Sequence, residues 1–213
     1  MKTKILPNRL ALLFAIFIGL LIVMNLMGGK ITTFFGISVS VSIFLVPLTF
    51  LITDIVSEVY GREISQKFVY TGMVVIFLTM LIAQFFIYLP PNPRFELNQE
   101  YSQIFGSSLR IMLASLLAFG LSQLNDVFVF HYLKKKTRGK MLWLRNNVST
   151  MISQAIDTTV FMLVAFWGIS PKFDLYFVLI GLGLPYYLFK IGFAILDTPF
   201  VYLGVKWLEK EKE

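Results

Sequence analysis

Apolar residues run along this chain in six long blocks separated by short polar connections. The blocks fall near residues 10–27, 37–57, 68–89, 109–133, 148–169 and 175–208. A helix needs about 20 apolar residues to cross the hydrocarbon of a bilayer, so each block predicts one membrane-spanning helix. The pattern predicts an all-α integral membrane protein, a six-helix bundle forming one transmembrane domain over residues 1–213, with little chain left for an ATPase or a soluble catalytic domain. The first block follows a basic stretch, yet it is too long for a signal peptide and lacks a small-x-small cleavage site, so it predicts a retained helix. The connection LPPNPRFELNQEYSQIFG, Leu89 to Gly106, carries three prolines that forbid a continuous helix and predicts a surface loop or a mobile lid. The final block runs 34 residues and contains Pro185 and Pro199. That length predicts either one long kinked helix or a break near GLGLPYY with re-entry.

Polar residues interrupt these blocks in a pattern that matters more than their number. Asp54, Asp126, Asp157 and Asp197 all lie inside apolar stretches, and an ionisable side chain in hydrocarbon marks a substrate or ion pathway by default. Around Asp54, Phe50 and Glu58 recur four residues to either side, so an aromatic ring and two acids share one helical stripe after Pro47. SQLNDVFVF, Ser122 to Phe130, echoes SQAIDTTVF, Ser153 to Phe161, placing Ser, Gln and Asp on one face of each of two helices that run in opposite directions. Such faces can line one cavity, and they can also join helices without any ligand. Lys190 and Asp197, seven residues apart, share a face of the last block and suit either an ion pair or a ligand.

Composition agrees with a membrane protein: 57% of residues are hydrophobic, 15% are charged and the mean hydropathy is +0.75. Soluble domains carry nearer a quarter charged residues. With no cysteine, disulfides and thiolate metal sites are excluded, and with His131 as the single histidine so is a histidine-built zinc site. The net charge of +7 raises the question of nucleic acid, but the placement of the basic residues answers it differently. Three segments outside the spans are poor in them, holding only Lys30, Arg94 and Lys172, whereas the alternate segments hold Lys2, Lys4, Arg9, Arg62, Lys67, the KKKTRGK run at 134–140, Arg145, Lys206, Lys210 and Lys212. The positive-inside rule then predicts cytoplasmic N and C termini, and the basic run is a topology signal facing anionic lipid rather than a nucleic-acid patch.

Counting Glu58, five acids in or beside the spans face only Arg110, Lys190 and, if it reaches down, Arg145. That surplus predicts protonated carboxyls or a substrate rich in hydrogen-bond donors or positive charge. Aromatic residues make up 16% of the chain, and Phe50, Phe119, Phe128, Phe130, Tyr186 and Tyr187 lie near the acids. Flat rings beside carboxylates and carboxamides suit a planar heterocycle held at its N–H edge.

PLTFLITDIVSEVYG, the span from Arg110 to Asp126 with its Ser-Gln-x-x-Asp ending, LWLRNNVSTMISQAIDTTVF and FKIGFAILDTPFVY together resemble the queuosine precursor transporter family, also called the vitamin uptake transporter family. The likeness runs from Asn25 to Tyr202. It implies a bacterial or archaeal inner-membrane importer of a 7-deazaguanine base (7-cyano-7-deazaguanine, 7-aminomethyl-7-deazaguanine or queuine) for tRNA queuosine salvage, working by facilitated or proton-coupled alternating access without cofactor or metal. The substrate contacts it implies are Asp54, Glu58, Arg110, Gln123, Asp126, Arg145, Asn146, Gln154, Asp157, Lys190 and Asp197, with stacking by Phe50, Phe119 and Tyr187. Gly181, Gly192 and Gly204 permit close helix packing, including a homodimer. Two other classes stand beside this one. The first is a substrate-binding subunit of an energy-coupling-factor vitamin importer. The second is an intramembrane enzyme using paired aspartates, which lacks here both the protease G-x-G-D signature and the Asp-rich phosphotransferase motif.

Overall fold

A computed structural model of the chain describes residues 8–28, 30–34, 37–106 and 109–211. Lys2, Lys4 and Lys212, which enter the charge distribution above, lie outside the described residues. Among the described residues, six helical segments are long and apolar enough to cross a membrane: Asn8–Met27, Val41–Tyr60, Arg62–Tyr88, Leu113–Lys136, Leu142–Phe166 and Phe177–Leu196.

Helix α1, Asn8–Met27, leads into an antiparallel hairpin, β1 (Ile31–Phe34) and β2 (Ile37–Ser40), with Ile31 opposite Ser40 and Phe34 opposite Ile37. The second span therefore does not start as a helix at residue 37, and the chain is not wholly α. The sequence ISVSVSIF from Ile37 alternates β-branched residues with serine, which is strand periodicity, and Pro47 suits only the first turn of a helix. A 3-10 turn over Val41–Phe44 makes the transition, its amide at Ser42 capped by Ser40 Oγ at 3.2 Å. Helix α2, Val46–Tyr60, follows, and its residues from Ile52 to Ser57 are all buried. Gly61 alone joins it to α3, Arg62–Tyr88; its φ of 84° lies where a side chain is strained, so this tight junction favours glycine.

The proline-rich connection holds a two-turn helix, α4 (Asn98–Phe105), instead of an extended loop. Tyr101 and Phe105 face a crevice shared with Leu26 of α1 and Ile82 and Phe86 of α3, which anchors α4 to both. Helices α5 (Leu109–Lys136) and α6 (Leu142–Phe166) form the most extensive helix pair in the molecule.

The last block is one helical path with two irregularities. Asp174 Oδ1 accepts from the Phe177 amide at 2.7 Å where it begins. Phe177–Gly183 then winds as a π-helix, in which the Leu184 amide bonds to the Leu179 carbonyl five residues back. The wider turn relieves the clash that Pro185 would impose on a regular α-helix, so the chain does not turn back at GLGLPYY. Helix α7 (Leu184–Leu196) continues directly, and the interruption falls instead at Asp197, before Pro199 and α8 (Thr198–Glu209). Pro199 has no amide to bond Ile195, which releases a carbonyl there. With 12 residues α8 is too short to span a bilayer, and Val201, Val205 and Leu208 are buried on its inner face.

The apolar core joins α1, α2, α3 and α8 through Phe17, Leu21, Val56, Val69, Val201 and Leu208. Val74, Phe77, Leu78, Leu81 and Phe85 on the outer face of α3 are exposed, as expected of side chains that meet lipid.

Candidate functional site

Four helices carry polar side chains one turn apart, and the fold turns these stripes toward one another. On α6 the stripe reads Arg145 and Asn146, Ser149 and Thr150, Ser153 and Gln154, then Asp157 and Thr158, with every member from Arg145 to Gln154 buried. On α2 it reads Thr49 and Phe50, Thr53 and Asp54, Ser57 and Glu58. The echoed Ser-Gln-x-x-Asp faces meet antiparallel: Ser122 Oγ of α5 donates to Asp157 Oδ1 of α6 at 3.3 Å, and Asn125 Nδ2 donates to Ser153 Oγ at 3.2 Å. The result is a polar column through the bundle in three layers.

The upper layer is a cavity of about 350 Å³ at the end of the bundle remote from α8's terminus, between the C-terminal end of α1, the hairpin and the upper halves of α5, α6 and α7. Phe50, Phe119 and Tyr186 supply aromatic walls, and Asn25, Ser42 and Thr49 add polar groups. Its floor is an ion pair in which Lys190 Nζ donates to Asp157 Oδ2, while the ammonium lies 5.1 Å from the centre of the Tyr186 ring. The size lies within the range of small-molecule sites, and the mixture of apolar wall and few polar groups matches their usual make-up.

The middle layer is occluded. Gln123 is wedged between two threonines, donating to Thr49 Oγ1 at 3.3 Å and accepting from Thr53 Oγ1 at 3.2 Å. Thr150 Oγ1 donates to Asp54 Oδ2, and Asn146 Nδ2 to Asp197 Oδ1, both at 3.4 Å. Asp126 lies within reach of Asp54, Ser149 and Ser153.

The lower layer is an ionic lock. Arg145 grips Glu58 with both ends of its guanidinium, Nη1 to Oε2 at 2.8 Å and Nη2 to Oε1 at 3.2 Å, and Nη2 also reaches the Gly139 carbonyl at 3.2 Å. Lys134 Nζ joins at 2.9 Å from Glu58 Oε2 and donates to the Glu58 carbonyl at 2.8 Å. Arg145 is 1% exposed and stands over the Phe130 ring at 5.3 Å. A forked pair of this kind is among the stronger side-chain interactions.

Ten of the eleven expected substrate contacts therefore share the column, but on different levels. Asp157 and Lys190 reach the cavity, with Phe50 and Phe119. Asp54, Gln123, Asp126, Asn146, Gln154 and Asp197 form the level below, and Glu58 and Arg145 the lock. Arg110 lies apart from the column: its Nε donates to the Val164 carbonyl at 2.6 Å and its Nη2 to that of Trp167, fastening the end of α6. Tyr187 points its hydroxyl to the Met151 carbonyl at 3.2 Å, and Tyr186 takes the cavity wall instead. Asn25, Ser42 and Thr49 were not singled out from the sequence; the signal available for them was a lone amide in an apolar span, a serine in the alternating ISVSVSIF and a threonine one turn before Thr53.

A family profile described as "Putative vitamin uptake transporter" matches residues 40–204. The chain belongs to that family. Among its relatives, this vitamin uptake transporter family member is 30% identical over 189 residues to the "Probable queuosine precursor transporter" of Bacillus subtilis (strain 168), covering 88% of this chain and 81% of that one. It is 27% identical to the "Queuosine precursor transporter" of Escherichia coli (strain K12), over 72% of this chain and 66% of the relative. The "Probable queuosine precursor transporter" of Haemophilus influenzae is 28% identical, over 70% of this chain and 61% of the relative. No solved structure matches at a significant level. In this family member the matched residues contain the middle and lower layers and most of the cavity lining, leaving out Met24, Asn25 and Gly28. Family and fold together make it a multi-pass membrane protein of a transporter family.

Proposed function

We propose that this chain imports a queuosine precursor, a 7-deazaguanine base, across a bacterial or archaeal plasma membrane by alternating access, with no enzymatic step. The observation that carries the reading is the upper cavity, where aromatic walls stand over the Asp157–Lys190 pair. A 7-deazaguanine presents N1–H and its 2-amino group side by side, a donor pair that one carboxylate accepts through both oxygens. Its O6 accepts from an ammonium. Asp157 and Lys190 supply that complement on one floor, and Phe50, Phe119 and Tyr186 can cover the ring faces. A base lacking the paired donors returns no hydrogen bonds to the Asp157 carboxylate for those it displaces, which is a source of discrimination.

The same reading sets the orientation. The basic ends of α5 and α6 lie at the lower layer, so the positive-inside rule puts that layer and both termini in the cytoplasm. The cavity then faces outward, and the Glu58–Arg145–Lys134 lock closes the path inward. Import requires that lock to open as the cavity closes, by facilitated diffusion or with a proton gradient.

Binding to the purified protein tests the proposal. The aminomethyl and cyano deazaguanines and queuine are expected to bind, with adenine and riboflavin at least tenfold weaker, and Asp157→Asn to lose the preference. A ligand set without deazaguanines would reassign the substrate. Uptake into liposomes containing this chain alone separates it from a subunit that needs a partner ATPase.

A further inference from the structure

The middle layer has a charge deficit that the rest of the column does not relieve. Asp54 and Asp126 are 1% and 0% exposed, and Asp197 at the break between α7 and α8 is 9% exposed. The charged neighbours of Asp54 are Asp126 and Asp197, and that of Asp197 is Asp126. Cations above and below are engaged: Lys190 with Asp157, and Arg145 and Lys134 with Glu58. His131 lies among those lower charges. The charged residues of α1, α3 and α8, namely Arg9, Arg62, Glu63, Lys67, Lys206 and Glu209, sit at the lower ends of their helices or near them. Asp54 and Asp126 thus face each other, with Asp197 nearby and, among the described residues, no cationic side chain between them.

Hydroxyls of Thr150, Ser149 and Ser153 and the Asn146 amide stand beside these acids, but they bring no charge. Among the described residues, Asp54 Oδ1, both oxygens of Asp126, Asn146 Oδ1 and Gln154 Oε1 have no hydrogen-bond partner, and the two amide side chains are each 1% exposed. An ionised carboxylate without compensation is among the most costly groups to bury, and an unpaired amide oxygen adds to the cost. A layer built from carboxylates and amide oxygens offers the hard donors that an alkali cation or a proton takes. Among the described residues no three His, Cys, Asp or Glu side chains converge as a metal centre. The layer therefore offers two facing carboxyls, which one positive charge half neutralises.

We propose that Asp54 and Asp126, with the side-chain oxygens of Asn146 and Gln154, bind one monovalent cation, a sodium ion or a proton, at a site separate from the substrate cavity. The coupling charge then sits in the middle layer and the base in the upper one, a division that rests on the transport reading. Positive charge entering here loosens nothing in the lower lock directly, but it removes the repulsion among α2, α5 and the α7–α8 junction that meet at these acids.

The test uses the full chain in proteoliposomes on a solid-supported membrane, with sodium jumps and pH jumps applied in the absence of any base. Wild type is expected to give a transient charge displacement in one of the two arms. Asp54→Asn and Asp126→Asn are expected to reduce it at least tenfold, whereas Glu96→Gln in the exposed loop keeps it. Gln154→Met, which removes an oxygen without touching an acid, abolishes a sodium response and leaves a proton response, so it separates the two sources. Monodisperse elution of each variant serves as the folding check, and Asp54→Glu stands in for a variant that fails it. Displacement in neither arm, or displacement that survives the double Asp54→Asn, Asp126→Asn change, overturns the proposal. So does displacement that appears only when a deazaguanine is added, since the acids then receive the substrate itself. Charge movement without deazaguanine binding would keep the cation site and sink the substrate reading; binding without charge movement would do the reverse.

Discussion

Arg145 does the most at the scale of one residue. Its guanidinium is almost wholly buried, forks onto Glu58 and leans on Phe130, and it ties α6 to α2 beneath the column. Removing one member of a buried pair costs about 3–5 kcal/mol, because the other charge is left without a partner. Lys134 still touches Glu58 in such a variant, so Arg145→Leu is expected near the lower end of that range, with Arg145→Lys intermediate because an ammonium cannot make the fork. Thermal unfolding in detergent reads this directly; a melting temperature for Arg145→Leu within a degree of wild type would show that the lock contributes nothing. Residues of this kind were legible only by half. Asp54, Asp126, Asp157 and Lys190 stood out because a charge in an apolar block is costly, and Arg145 only as a cation that could reach down; which charge meets which depends on pairings such as Glu58 with Arg145, 87 residues apart. Tyr186 and Tyr187 each lie about one turn from Lys190, so helical phase alone does not choose between them. The Met151 carbonyl on α6, which engages Tyr187, makes the choice.

The elements repeat that division. Long apolar blocks with no competing period, such as those of α1 and α3, were readable from the chain, since only helices satisfy their own backbone in lipid. The hairpin was not, because its alternation sits directly before an apolar run and merges with it in any count of hydrophobic residues. Nor was the place where the last helix yields, since Pro185 and Pro199 both announce a break and a π-helix absorbs the first. Contact between α8 and α2 depends on Gly204: a Cβ there would lie 2.2 Å from Ile55 Cδ1. Overfilling a packed interface costs about 1–3 kcal/mol. Gly204→Leu is expected to lower stability by about that amount and Ile55→Ala to restore part of the loss in the double variant, as read by the same unfolding assay. A double variant no more stable than Gly204→Leu would remove this contact from the account of how α8 is held.

For the whole molecule, the orientation has a clean test because the chain contains no cysteine. Arg94→Cys, before α4, is expected to react with a membrane-impermeant maleimide on intact cells. Arg138→Cys, between α5 and α6, is expected to react only after the membrane is opened. The opposite pattern would turn the bundle over, and the cavity with it. One further consequence belongs to the path of the last helix. Between the π-helical winding and the interruption at Asp197, α7 is a rod of 13 residues, roughly 20 Å long. A joint stands at each end, Lys190 lies near its middle and Asp197 at its lower end. Such a rod suits a crank: swung about its upper, π-helical joint, it would carry the cavity's ammonium and the buried acid together, so release above and reception below become two ends of one stroke.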